Sequence, residues 1–588
     1  MKRLKRDTTS GSREVVASAS PHGFSRSWLA AGALLIVVCA GIAFWAMASP
    51  GPPRVTSTTQ LTRDGIPKFG AVTDGSRLFI TERTSNSWVV QASTSGGETS
   101  PIPTSFTNVV AADISTDHTQ LLISTFFGTD PEAQFWSLPL PSGAPRRLGS
   151  LLGHYPSWSP NGRHLLFARG SDLFVANADG SEPRKLITVQ QSLACIRESP
   201  DGKRIRFTIT APDQTSAAIW EIRSDGTGLH PVLPGWHNPP QEFCGNWTPD
   251  GRYYLFRVVG SQFDIWALRE PAGLFRWRVP QRFQLTSGPM SFLAETVSPD
   301  GKKIFADGTQ GRGELVRYDS KSRQFVPYLS GISAGELDYT RDGKWVTYIV
   351  YPEGTLWRSR ADGSERLQLT DASAIAALPR WSPDGSQLTY ASTRRGSPLK
   401  VLVVSSQGGS PQELLPSDQG EIDPSWSPDG KKVAFGANPD VHLGIRIVEL
   451  ATHQVTTVPG SEDFFSPRWS PDARYIVALT ADSKKIMLFD FTKRQWSVWI
   501  DEPGAIGFPN WSGDGKFLYY DTNFDQHSTF RRVRVGETRS ELVADLQSLR
   551  RYSAWPVFGW SGLAPDGSAL FTRDLSSDEI YALDLDLP

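Results

Sequence analysis

The chain is poor in the residues that carry most enzyme chemistry. Among 588 residues there are 3 Cys and 9 His. The histidines are scattered, with no H-E-x-x-H and no close pair suited to Zn²⁺. His230 and His237, seven residues apart in LHPVLPGWHNPP, are the best metal candidates, and a plain polar loop explains them better. Neither a Walker-type loop nor G-x-G-x-x-G is present, so no nucleotide cofactor is implied. The net charge of −1 and the lack of a basic patch interleaved with aromatics argue against nucleic acid as a partner. Gly331–Gly335 (GISAG) matches G-x-S-x-G, but a nucleophile elbow needs a strand before it and a helix after it, and no helical segment follows. The expectation is no cofactor, no metal and no catalysis.

Charge is unevenly placed. Residues 1–27 hold six Lys/Arg against Asp7 and Glu14, a net +4. From Trp28 to Ala48 there is no charge for 21 residues, with Trp28 and Trp45 near the ends. At 1.5 Å per residue this stretch spans roughly 31 Å, the thickness of a bilayer core. The expectation is therefore a basic cytoplasmic tail (1–27), a transmembrane helix (28–48), a stiff stalk (49–56) with Pro50, Pro52 and Pro53, and a body outside the cytoplasm. The competing reading is a cleaved signal peptide ending at Ala46-Met47-Ala48.

One phrase recurs through the body: YPSWSPNGRHLLF (155–167), GNWTPDGRYYLF (245–256), PRWSPDGSQLTY (379–390), PSWSPDGKKVAF (424–435) and further copies. Its acidic or Asn turn residue falls at Asp74, Asp117, Asn161, Asp201, Asp250, Asp300, Asp342, Asp384, Asp429, Asp472, Asp514 and Asp566. Pro fixes φ at the start of a turn, Asp caps it, and Gly takes φ > 0, so each copy reads as a hairpin. A third strand, often with Trp, and a fourth follow. Four antiparallel strands in a period of 40–52 residues make a propeller blade. The repeated Asp residues lack the D-x-D-x-D-G spacing of Ca²⁺ loops and read as turn formers. Trp158, Trp247, Trp381, Trp426, Trp469 and Trp511, three residues before the turn residue, read as fillers of the wedge between blades.

Twelve copies exceed the four to eight blades of one propeller. The fold class is thus all-β, tandem propellers, most simply two six-bladed rings over 57–328 and 329–588; five and seven, or one oversized ring, are the alternatives. TTQLT (58–62) would close the first ring and QFVPYL (324–329) the second. Propellers bind at the mouth of the channel, which makes the residues six and seven before the turn candidates for ligand contact. These are His154, Tyr155, Phe243, Glu336, Asp423, Phe465, Phe508 and Trp560. Cys195 and Cys244 stand six residues before Asp201 and Asp250 in adjacent blades. They form either a disulfide or two separate thiols, depending on whether their Cα atoms lie within about 7 Å.

The SPDGK phrase resembles the WD40-like (PD40) repeat of TolB-type periplasmic propellers over nearly all of 57–588. QLTRDGIPKFG, PGWHNPP, RGELVRYDSKSRQFVPYLSGIS and YPEGTLWRSRADGSERLQLT look like the propeller part of CadC-like one-component regulators. The resemblance implies a sensory or binding role. The winged-helix head of that family has no counterpart in the 27 residues before the apolar stretch, so DNA binding is not carried over. The resulting expectation is a single-pass protein of a bacterial inner membrane, with periplasmic propellers that bind a protein, peptide or glycan. The alternatives are an envelope scaffold in the manner of TolB, or the sensor half of a CadC-like regulator.

Overall fold

Each SPDG phrase closes a hairpin through the same three contacts. In the copy around Asp384, the Ser382 hydroxyl donates to Asp384 Oδ1 at 2.6 Å. The Ser386 amide donates to the same oxygen at 3.0 Å, and the Gln387 amide donates to Ser382 Oγ at 2.9 Å. The set recurs at Asp201, Asp300, Asp429, Asp472 and Asp514. Thr248 and Thr340 replace Ser before Asp250 and Asp342. The Ser512 hydroxyl and Lys516 amide draw the Asp514 carboxyl down to about 2, and the equivalent donors lower Asp300, Asp342, Asp384 and Asp429. The Pro of one turn also packs on the Gly of the next blade's turn. At the two ring closures Gly75 (φ +94°) meets Pro299, and Gly343 (φ +67°) meets Pro565. A side chain at either position would be strained and would press on proline at 3.2–3.4 Å.

The computed structural model describes residues 51–588 apart from 84–85, 107, 126–131, 212–215, 261, 271–279, 395–396, 417–419, 438–442, 523–527 and 555–556. Within these, the strands form four-stranded antiparallel blades, two of which share the long strand Arg146–Trp158. The innermost strands of ring one are Lys68–Thr73, Val109–Ile114, the end of Arg146–Trp158, Ser192–Glu198, Glu242–Trp247 and Ser291–Val297. Each touches the next, and the last touches the first. Ring two closes in the same way through Ala334–Tyr339, Ile375–Trp381, Glu421–Trp426, Phe464–Trp469, Ile506–Trp511 and Ser561–Leu563. Each ring therefore has six blades. The core is a set of inter-blade clusters, such as Leu166, Ile205 and Phe207 between blades 3 and 4 of ring one.

The chain does not divide at residue 328. The hairpin of Ser291–Val297 and Lys303–Gln310 opens the sixth blade of ring one, but its third strand is Ser577–Asp586 and its fourth is Arg54–Gln60. The following strands Gly313–Asp319 and Gln324–Pro327 instead join Ser561–Leu563 and Ala569–Asp574 in the sixth blade of ring two. Lys303 faces Asp584, and the pairing runs unshifted to Gln310–Ser577. The Leu575 amide donates to Arg312 O at 2.8 Å, and the same register resumes from Gly313–Asp574 to Arg317–Leu570. Two strand pairs held in one register thus serve both rings. Ring one is 54–310 plus 577–586, with ring two (313–574) inserted between the second and third strands of its last blade.

The helical part of the expected fold is corrected as well. Among the described residues no helix is long and apolar enough to cross a membrane. The stretch 28–48 lies, with the tail 1–27, outside the described residues. The single-pass anchor and the inner-membrane placement built on it are accordingly withdrawn.

Candidate functional site

Of the eight candidate residues, Glu336, Asp423 and Trp560 are buried. Every innermost strand except Ser561–Leu563 carries a register shift near the sixth residue before the turn, and Tyr155, Cys195, Cys244, Ala294, Glu336, Leu378, Asp423, Ser466 and Phe508 all take positive φ. The bulge turns the residue toward its counterpart on the next blade. Cys195 and Cys244 lie 5.1 Å apart (Cα–Cα) and form a disulfide. Buried Glu336 accepts from the Tyr351 hydroxyl and the Leu378 amide. Asp423, also buried, accepts from the Ser466 hydroxyl and pairs with Arg468 (2.8 Å) and Arg380 (3.8 Å). Burial pushes the Glu336 carboxyl up to about 7, against the Tyr351 and Leu378 donors and Arg380. Trp560 is buried, and Phe465 and Phe508 pack half-buried against the cores. His154 is held by Glu132 (3.1 Å) and the Leu193 carbonyl (3.2 Å), and Phe243 stacks edge-on with Phe263. Of the eight, Tyr155 alone is a large exposed side chain, at 49 %.

The other sequence candidates are also placed. His237 bonds Glu242 at 2.6 Å while His230 bonds the Gly228 carbonyl at 2.8 Å, so the two do not converge. Among the described residues no cluster of three His, Cys, Asp or Glu could hold a metal. Gly331–Gly335 runs into the strand Ala334–Tyr339, and Ser333 Oγ accepts from the Gly313 amide.

A different site emerges where the repeat breaks. Three residues before each turn residue, the chain places Trp381, Trp426 and Trp511, whose indole N–H groups donate back to carbonyls of the preceding blade at 3.2–3.3 Å. In the twelve copies this slot holds Ala71, Ile114, Trp158, Glu198, Trp247, Val297, Tyr339, Trp381, Trp426, Trp469, Trp511 and Leu563. Glu198, in the fourth blade of ring one, is the single charged occupant. A carboxylate cannot fill the wedge that an indole fills. Here the wedge is a cavity of about 280 Å³, walled by Leu166, Val175, Leu186 and Ile205 and rimmed by Asn161, His164, Asn177, Arg184 and Ser224.

At Glu198 this cavity meets a second one of about 220 Å³ at the turn-side mouth of the ring-one channel. The second is lined by residues four before the turn, namely Asp113, Ser157, Arg197 and Asn246, with Trp158 and Trp247. Asp113 accepts from Ser157 Oγ (3.0 Å) and the Trp158 amide (2.9 Å), and Arg197 Nε donates to Asn246 Oδ1 at 2.7 Å. Glu198 is common to the walls of both cavities, one among the residues four before the turn and one between blades 3 and 4. The Ser224 hydroxyl donates to Glu198 Oε1 at 3.1 Å, and burial raises the Glu198 carboxyl. Sequence reasoning read the slot only as packing. The signal that finds the site is the one copy, IRESPDG, in which the slot is charged.

Residues 279–513, the end of ring one and most of ring two, match the model of the TolB β-propeller domain (PD40). An uncharacterised protein of Agrobacterium fabrum is 24 % identical over 296 residues, covering 48 % of this chain and 83 % of that protein. The uncharacterised peptidase YuxL of Bacillus subtilis is 25 % identical over 220 residues (35 % of this chain, 31 % of the peptidase). Dipeptidyl-peptidase 5 of Porphyromonas gingivalis is 21 % identical over 338 residues (51 % and 46 %). The chain thus spans less than half the length of either peptidase. Similarity to two proteins named as peptidases overturns the expectation that catalysis is excluded. The likeness to CadC-like regulators is not shown by these matches.

Proposed function

We propose that the protein is a binding module whose ring-one groove, centred on Glu198, holds an extended peptide segment of a partner. The observation that carries this reading is the broken repeat. A wedge that the other copies fill with an uncharged side chain is left open here, and its Glu198 also lines the second cavity. Leaving such a wedge empty costs packing, so retaining it fits a site that a guest occupies. The polar rim and apolar walls suit a peptide, which presents both kinds of surface. A sensory use of that binding is the finer reading, in which occupancy stabilises the ring and the change is passed on. A second reading is favoured by the two peptidase relatives. In it, the propeller presents peptides for hydrolysis, and the groove plays the same part.

The test is Glu198→Trp, which restores the repeat. Melting of the full chain with and without random hexapeptide pools should show ligand-dependent stabilisation in the wild type. Glu198→Trp should melt at or above the wild-type temperature and lose the response. An unchanged response in Glu198→Trp sinks the groove as the site. Release of amine from the pools by the purified chain would establish the second reading.

A further inference from the structure

The chemistry of the guest can be taken one step further, resting on the groove reading above. Glu198 is half-buried and receives one side-chain hydrogen bond, from Ser224. No cation pairs with it among the described residues. Its neighbour Arg197 is committed elsewhere, with Nε on Asn246 Oδ1 and Nη1 on the Ile196 carbonyl at 2.9 Å. Asp201 adds a further negative charge nearby. Arg184, on the outer rim, makes no ion pair or side-chain hydrogen bond among the described residues.

A carboxylate drawn partly out of water without a counter-charge is unfavourable, and a cation arriving from outside relieves it. The position matters as much as the charge. Because Glu198 lines both cavities, a segment seated in either one lies beside its carboxylate. An ammonium is small enough for the site, and its remaining donors would meet the polar rim atoms of Asn161 and Ser224.

We propose that Glu198 is the specificity-determining residue of the groove and that it reads a primary ammonium of the bound segment. An ammonium can come from a lysine side chain or from a free N-terminus, and the test separates the two. Three hexapeptide pools are titrated against the full chain by fluorescence polarisation. The first has a fixed central lysine and an acetylated N-terminus. The second has that lysine acetylated as well, so that it carries no ammonium. The third has acetyl-lysine and a free N-terminus. The wild type should bind the first or the third at least about tenfold more tightly than the second. Glu198→Gln, which keeps the Ser224 hydrogen bond and the fold, should bind all three alike. A preference for the first pool assigns lysine, and for the third the N-terminus. Equal binding of all pools by the wild type, with binding lost in Glu198→Trp, overturns ammonium recognition and leaves the groove standing. Binding that survives in Glu198→Trp, or no binding of any pool by the wild type, overturns the groove itself.

Discussion

Removing the last strand should unfold the first ring and spare the second. A chain ending at Asp574 keeps both strands that open the sixth blade of ring two, Ser561–Leu563 and Ala569–Asp574, together with their partner Gly313–Asp319. It loses Ser577–Asp586, the strand that lies between Lys303–Gln310 and Arg54–Gln60 in ring one. Ile580 and Leu583 are fully buried there and Ala582 nearly so. At about 2 kcal/mol for each large aliphatic side chain, plus the alanine, the apolar loss is roughly 5 kcal/mol before any ladder hydrogen bond is counted. The strand Arg54–Gln60 is orphaned as well, since among the described residues it pairs with no other strand. A domain is typically stable by about 5–15 kcal/mol, so ring one should not survive. Calorimetry of the truncated chain should show one transition where the full chain has the heat of both rings. Limited trypsin digestion should leave a resistant core from about residue 311 to 574. A resistant 54–310 fragment with ring two degraded, the outcome expected if the chain divided at 328, would refute the shared register.

Three smaller predictions follow from single residues. Glu336→Gln should flatten part of the pH dependence of stability. The wild-type carboxyl sits at about 7, above its ordinary 4.5, so its contribution is full below 4.5 and is lost as pH rises through 7. The variant should gain up to about 3 kcal/mol relative to wild type between pH 5 and 8 in urea unfolding, and parallel curves would refute the assignment. Gly343→Ala places a Cβ 3.2 Å from Pro565 at φ +67° and should cost about 1–2 kcal/mol, read as a lower melting temperature. Replacing Cys195 and Cys244 together with serine removes a cross-link over 49 residues and should cost about 4 kcal/mol by loop entropy. An unchanged midpoint would show that the denatured chain gains little freedom.

Blades were legible because their information is local: Ser-Pro-Asp-Gly encodes the turn, and alternation encodes the strands. The exchange at the sixth blades was not legible. ELVRYDS and EIYALDLD both read as third strands, and nothing nearby says which hairpin each will join. That choice is set by one register held across the gap at Arg312 and Leu575, a contact between segments about 260 residues apart. The candidate site was half visible. The turn arithmetic found the right strands but placed Glu336, Asp423 and Trp560 at an open mouth. The bulge at the sixth position, a conformational feature with no residue preference of its own, folds Glu336 and Asp423 inward instead, and Trp560 packs into a buried cluster without one. It also brings Cys195 and Cys244 close enough to bond, where flat strands would keep them apart. Glu198 was in plain view as the one charged occupant of an apolar slot. Its meaning depends on what the slot does in the other blades, which the Trp contacts to the preceding blade reveal.

The central claim is that the open wedge is where a partner segment sits. A crystal structure of the full chain with the tightest-binding hexapeptide from the pools tests it most directly. The account predicts peptide density between blades 3 and 4 of ring one, in contact with Glu198 and reaching toward Arg197 at the channel. Density at the opposite mouth beside His154, Tyr155 and Phe243, or on ring two, with the wedge filled only by water, would contradict it.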